Sequence, residues 1–459
     1  MINWLCQKKY FAIVASARLA YKIRLVKLSA YFALLNTFSL EHLLFAAYLV
    51  LFSWLITKVP FYKKSGLTPA QLVIIFLLKV IAGIFYGWIG VYYGNLAQMV
   101  DTWMFHYEGM EGYKLLLSSP HDFFVGLFKN NYQEYGRFLS SENSWWNDLH
   151  NNFFIMIISF FNLVSFGNYY INVIFFSFLT FYGPIAIYRL MQDAIQTNPL
   201  AILLATFLLP SFIYWTSGIH KDGFVFVGFA LVIYNIYYGL KNKDFGIKRF
   251  LLILLGLILL LSLRNYLLII ILPAIVAWLL AEKLKAKPVV VFCSAYIFFA
   301  VVFFSLKIFN PKLDFPKAVA NKQQSFLMLK GGSPVPVTTL EPTVAGFVKN
   351  MPEAISLSLL RPYPSDVKHL LSLAAATEIN IFLFCFILFL LWRKKGIAVS
   401  PFLLFCLFFS FSVLLTIGYT VNFLGSIVRY RSIVLPFLII PMMASIDWNK
   451  IGSLIFRRH

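Results

Sequence analysis

Phe250–Ala281 reads FLLILLGLILLLSLRNYLLIIILPAIVAWLLA, an apolar run broken by a single charge at Arg264. A straight helix over this run would reach about 45 Å at ~1.5 Å per residue, well beyond a hydrocarbon core of ~30 Å. Two shorter helices that turn around Arg264-Asn265-Tyr266 resolve the mismatch. The first arm, Phe250–Leu263, would cover only about 21 Å. The guanidinium is therefore expected below the membrane surface, in a polar cavity. An ionisable group at that depth marks a functional site, unless its stem carries it out to the headgroups.

Working outward, the rest of the chain has the same character. Of 459 residues, 60% are hydrophobic and only 12% charged, and stretches long enough to span a bilayer recur, which excludes a soluble domain. The expected fold class is an all-α polytopic integral membrane protein with about 11–12 transmembrane helices. Spans are expected near 41–57, 69–92, 168–188, 199–216, 223–240, 250–263, 266–281, 288–307, 378–392, 399–416 and 431–446. The stretch 153–166 is short, and reads as a span, a re-entrant segment or an interfacial helix. A net charge of +21 would suggest nucleic acid in a soluble protein. Here it reflects basic residues collected in cytoplasmic loops, and no nucleic-acid partner is expected.

Those basic residues sort the loops. Lys58, Lys63 and Lys64, Arg189, Lys241–Arg249, Lys283–Lys287, Arg393–Lys395 and Lys450–Arg458 all fall on one side if the spans alternate and 153–166 does not cross. Residues 1–40 are basic and amphipathic, and read as an interfacial segment or as hiding one extra crossing. A single transmembrane domain, 41–446, then carries two larger outer segments, 93–152 and 308–377, and 447–459 forms a basic cytoplasmic tail. Cys6, Cys293, Cys385 and Cys406 make no disulfide framework and no metal-ligand pattern.

The outer side holds the residues capable of chemistry. Asp101 follows a Tyr- and Gly-rich span, where a carboxylate can serve as general base towards a hydroxyl or help ligate a divalent cation, the one cofactor left open. His220, Lys221 and Asp222 are compressed into the turn WTSGIHKDGF, at a helix start that favours an anion. Arg361 stands in LLRPYPSD, a stiff turn, and Arg429 and Arg431 straddle Tyr430 in GSIVRYRSIVLP. Outer arginines run against the positive-inside tendency, so outer-leaflet phosphates or a substrate diphosphate are the expected partners. Lys221, Arg264, Arg361, Arg429 and Arg431 are expected to converge on that phosphate. Tyr107, Asp222, Tyr266 and Tyr430 are expected to line the substrate, with Trp145 and Trp146 available for stacking on a sugar.

With Tyr92-Tyr93 seven residues ahead of Asp101-Thr102, SGIHKDG over 217–223, RPYP over 361–364 and RYRSIVLP over 429–436, the chain resembles bacterial polytopic glycosyltransferases of the GT-C type and related envelope polysaccharide polymerases. The resemblance extends loosely over about residues 65–440. It implies a polyprenyl-linked sugar bound between spans, a glycan or glycolipid acceptor, membrane lipid around both, and catalysis at the outer face of the inner membrane. On that reading Asp101 is the base and His220 a second catalytic group. Such enzymes carry a paired Asp-Glu in the first outer loop, where this chain has Asp101-Thr102. Two other readings stay open: a lipid-linked oligosaccharide polymerase or ligase, and a transporter or flippase of an anionic lipid-linked substrate.

Overall fold

The structure is a computed structural model and describes residues 40–92, 101–132, 144–394, 396 and 399–456. The protein is an all-α polytopic membrane protein: helix accounts for 82% of the structure, with no strand among the described residues. The chain divides into two units, Met1–Phe52 and Ser53–His459. Of the first, only the start of helix α1 (Leu40–Lys58) is described, so the expected interfacial segment 1–40 lies, but for Leu40, outside the described residues. All that follows concerns the second unit.

In chain order come α2 (Pro69–Tyr92), α3 (Asp101–Ser118), α4 (Trp145–Ser165), α5 (Tyr169–Thr180), α6 (Tyr182–Ile195), α7 (Pro199–Phe207), α8 (Pro210–Ser217) and α9 (Lys221–Asn242). Next are α10 (Ile247–Lys283), α11 (Pro288–Phe309), α12 (Phe315–Met328), α13 (Val344–Ile355), α14 (Leu370–Leu391), α15 (Pro401–Thr420), α16 (Leu424–Ser432), α17 (Leu435–Ala444) and α18 (Trp448–Phe456). Among the described residues eight spans are long and apolar enough to cross a membrane, with α5 and α6 forming one of them. The bent pairs α7–α8 and α16–α17 bring the number to ten.

α10 does reverse at Arg264, whose backbone leaves the helix (φ −154°, ψ 77°). Arg264 bonds Asp222 at the start of α9, and Trp278, fourteen residues on, lies 6.5 Å from Tyr237, fifteen residues down α9. Both separations are about 21–22 Å of helix, so the second arm runs back alongside α9. The first arm climbs against α9 where Gly228 and Gly256 cross. A Cβ built on Gly256 would stand 2.8 Å from the Gly228 carbonyl oxygen, so the close approach of the two backbones requires a residue without one.

Two expected spans are not continuous. α7 and α8 bend by 47° and α16 and α17 by 63°. In each case a proline stands at the start of the second half, Pro210 and Pro436, where it removes a backbone donor and clashes with the preceding turn. The last span also starts earlier than expected, at Leu424 rather than 431. α14 starts at Leu370 rather than 378, because His369 caps it by accepting the Ser372 N–H at 3.3 Å. α4 lies across one end of the bundle. Asn151 on its first turns accepts from Lys221 at the head of α9, while Gly167, just past its last turn, leads directly to Tyr169, whose ring packs where Gly87 leaves room near the end of α2.

The basic residues gather at the opposite end. There Arg189 donates to the Phe61 carbonyl at 3.2 Å, Lys241 pairs with Asp193 at 2.6 Å and Lys394 donates to Thr197 at 2.7 Å. Asn198 donates to the carbonyls of Ala444 and Ile446, tying the end of the last span to this layer. Of the expected basic tail, Trp448–Phe456 is a short helix, and 457–459 lie outside the described residues.

Candidate functional site

At the end away from that basic layer, the turn between α8 and α9 carries Asp222, fully buried and doubly engaged. Its Oδ1 accepts from Arg264 Nη2 at 2.6 Å and its Oδ2 from Arg429 Nε at 2.9 Å. Arg429 also donates Nη1 to Asp101 Oδ2 at 3.1 Å, and Nη2 to the His220 ring. His220 stands 3.1 Å from Asp222 and 3.7 Å from Asp101. Arg264 stacks over Tyr430 at 4.6 Å and donates to the Tyr266 hydroxyl at 3.2 Å. Residues from α3, α9, α10 and α16 therefore do meet, as the turn in α10 requires. Two carboxylates face two guanidiniums around a histidine, and the network is neutral when the imidazole is. A buried charge survives only with such partners.

Asp101 is the member of this network that reaches open space, its side chain 48% exposed. Burial alone would raise its pKa, but the hydrogen bond to His220 and the charge of Arg429 overcome that and hold the carboxyl well below its usual range. It is ionised at any physiological pH. Its Oδ2 is the oxygen engaged by Arg429.

Beside Asp101 lies a cavity of about 780 Å³, within the range of ligand sites. One wall is apolar and belongs to membrane spans: Ala82 and Phe85 of α2, Ile213 and Tyr214 of α8, Leu371 and Ala375 of α14. The rim is cationic, with Lys330, Arg361 and Lys368 among the lining residues together with Asp366 and His369. Arg361 makes only a long contact to Asp366, 3.4 Å. The segment Lys330–Pro336 forms a further wall, held where Val335 donates to the Asn422 carbonyl at 2.8 Å and Leu424 to the Ser333 carbonyl at 3.0 Å.

The eight-residue helix α8 lies between this cavity and the α2 side, and buried charges of matching sign cap both of its ends. Glu378 of α14 accepts the Ser211 N–H at 2.9 Å at its start. Lys79 of α2 donates to the Thr216 carbonyl at 2.7 Å at its end. Both follow the helix dipole. That arrangement gives Lys79, an isolated lysine in an apolar span, a structural occupation.

Set against expectation, the phosphate-binding group divides. Arg361 and Arg429 line the cavity, as do Asp101 and Tyr430. Arg264 stands behind Tyr430, occupied by Asp222. Lys221 turns the other way, donating to Asn151 at 2.5 Å and lying 5.3 Å over the Phe105 ring. Arg431 is fully buried and donates to the carbonyls of Ser358 and Arg361. His220 and Asp222 are internal to the network, and His220 serves as a link rather than a group facing a ligand. Tyr266 meets Arg264, and Tyr107 is exposed beside Trp103, 6.1 Å between rings; neither lines the cavity. Trp145 and Trp146 pack on each other at 4.7 Å.

Comparisons with protein-family models, with curated proteins and with solved structures return no match. The site therefore has to speak through its own geometry.

Lys330, Lys368 and Glu378 went unrecognised in the sequence. The two lysines sit in an outer segment among other solvated charges, and only the fold turns them towards a cavity. Glu378 was taken to mark the edge of a span. The run of apolar helix ahead of it, Leu370–Thr377, was the available signal. Among the described residues, no group of three or more His, Cys, Asp or Glu side chains is placed to hold a metal ion.

Proposed function

We propose that this protein is a membrane glycosyltransferase that takes its sugar from a polyprenyl-phosphate donor and works at the outer face of a bacterial inner membrane. The observation that carries the reading is the cavity itself. An apolar wall at membrane depth meets a rim of three cations with little internal neutralisation, and an ionised carboxylate, Asp101, faces the same space. The lipid lies along the apolar wall. The phosphate rests at Lys330, Arg361 and Lys368, where Arg361 offers a planar fork and the lysines point charges.

In the transfer, Asp101 accepts the proton of the acceptor hydroxyl as its oxygen bonds to the anomeric carbon. The bond from that carbon to the phosphate oxygen breaks, and the departing phosphate gains charge that the rim cations stabilise. Arg429 holds Asp101 ionised and oriented, leaving Oδ1 for the proton. The acceptor is a glycan or glycolipid hydroxyl, and the basic end of the bundle faces the cytoplasm.

The test is transfer from radiolabelled polyprenyl-phosphate sugar by the purified chain. Asp101→Asn is expected to lose about 10²-fold or more in rate while donor binding survives. Transfer at the wild-type rate in that variant would remove Asp101 as the base, and no donor binding by folded wild-type protein would remove the transferase reading.

A second reading, a transporter or flippase of an anionic lipid-linked substrate, is favoured by one observation. The two broken helices pack on each other antiparallel, α7 against α17 and α8 against α16, and discontinuous helices near mid-membrane are a feature of transporters. Movement of labelled lipid between leaflets without sugar transfer would support it.

A further inference from the structure

We propose that the membrane-buried end of the cavity is a hydroxyl-binding subsite built on Glu378, which takes the sugar or polyol headgroup of the ligand. Glu378 lies two turns into α14, about 12 Å along the helix from Leu370, and is only 3% exposed. It lines the cavity together with Ser211. Capping α8 accounts for one of its oxygens, Oε1, which receives the Ser211 N–H. The other, Oε2, has no partner, and the Ser211 hydroxyl beside it makes no hydrogen bond of normal geometry. Arg431, behind this wall, gives Nη1 to two backbone carbonyls, while its Nε and Nη2 are buried without partners. Its charge acts on Glu378.

A buried carboxylate oxygen left without a donor is costly, so a donor is the missing element. The chemistry narrows what supplies it. The carboxylate repels a phosphate, which belongs at the cationic rim. The guanidinium behind it disfavours a metal ion, and no further carboxylate joins the pair. A neutral hydroxyl fits, since it can donate to Oε2 and accept from Ser211. With the phosphate at Arg361 and Lys368, the cavity then holds the two ends of one ligand on two chemically distinct surfaces. The inference rests on the transferase reading in one respect: the hydroxylated group is the sugar of the same lipid-linked donor.

The experiment uses the full chain in lipid nanodiscs and two probes of equal chain length, decyl β-glucoside and decyl phosphate, with binding measured by calorimetry. Glu378→Gln is expected to weaken glucoside binding about tenfold and Ser211→Ala about threefold, with decyl phosphate changed by less than about twofold. Arg361→Gln is expected to do the reverse. Glucoside binding that is absent, or the same in both variants as in wild type, overturns the subsite. Loss of decyl phosphate binding in the wild type counts instead against the transferase reading. Where Glu378→Gln does not fold, Ser211→Ala keeps the carboxylate and the cap and decides alone.

Discussion

Around Asp222, two guanidiniums, two carboxylates and a histidine close on one another, and most of their polar atoms face protein. At the rim of the cavity, Lys330, Arg361 and Lys368 surround a single carboxylate, Asp366, with one contact of 3.4 Å. Both regions lie at the same end of the bundle and both are rich in cations. The first spends its charge on holding four helices together. The second leaves it available to a ligand. A basic residue at a membrane-embedded site is thus informative only once its counter-charge is known.

The comparison can be broken most forcefully at Asp222. Asp222→Ala leaves Arg264 and Arg429 buried without their shared carboxylate, and about 3–5 kcal/mol of stability should be lost. Thermal unfolding in detergent reads this directly, and a melting temperature matching the wild type would deny the network its structural role. Adding Arg264→Leu to that variant should restore part of the loss, because one stranded charge is removed.

Gly83→Ala tests the packing that presents the network. A Cβ at this position would stand 2.5 Å from the Ser217 carbonyl oxygen and 2.6 Å from Val173. The turn carrying His220 and Asp222 would have to shift, costing about 1–3 kcal/mol. Unchanged stability would mean that α2 does not brace the turn.

Acid separates the two regions in a different way. Burial lowers His106 to about 4, and burial together with the charges of Lys221 and Arg264 lowers His150 to about 4. A histidine whose folded pKa is depressed binds more protons unfolded, so its contribution to stability is complete above about pH 6.5 and is lost as pH falls towards 4. Asp101, also depressed, keeps its contribution until pH drops below the ordinary carboxylate range. Stability should therefore decline between pH 6.5 and 4 and flatten in the double variant His106→Phe/His150→Phe. An unchanged slope in that variant would assign the decline elsewhere.

The smallest effect is expected from Arg264→Lys. The charge near Asp222 survives, but the planar stack on Tyr430 is lost, about 0.5–2 kcal/mol. A loss as large as that of Asp222→Ala would show that geometry rather than charge holds this corner.

Much of the fold was legible. The reversal at Arg264 follows from arithmetic on helix rise and bilayer thickness, and the basic layer follows from where Lys and Arg fall between spans. The breaks before Pro210 and Pro436 were readable in principle, since proline ends a helix turn, but an apolar run hides them. The site was legible only as a gathering of charges. Its pairing was not, because Asp222 reaches Arg429 across 207 residues of sequence and Lys221, its neighbour, turns to Asn151 instead. Glu378 shows the same limit. Its place two turns inside α14 depends on a cap at His369, and its free oxygen depends on where α8 begins.

The most direct measurement compares binding of polyprenyl phosphate to the wild type, to Arg361→Gln/Lys368→Gln and to Lys221→Gln, each checked for an unchanged melting temperature. Binding should fall at least about tenfold in the rim variant and by less than about twofold in Lys221→Gln. Equal losses in the two, or a larger loss at Lys221, would contradict the division between paired and available charge.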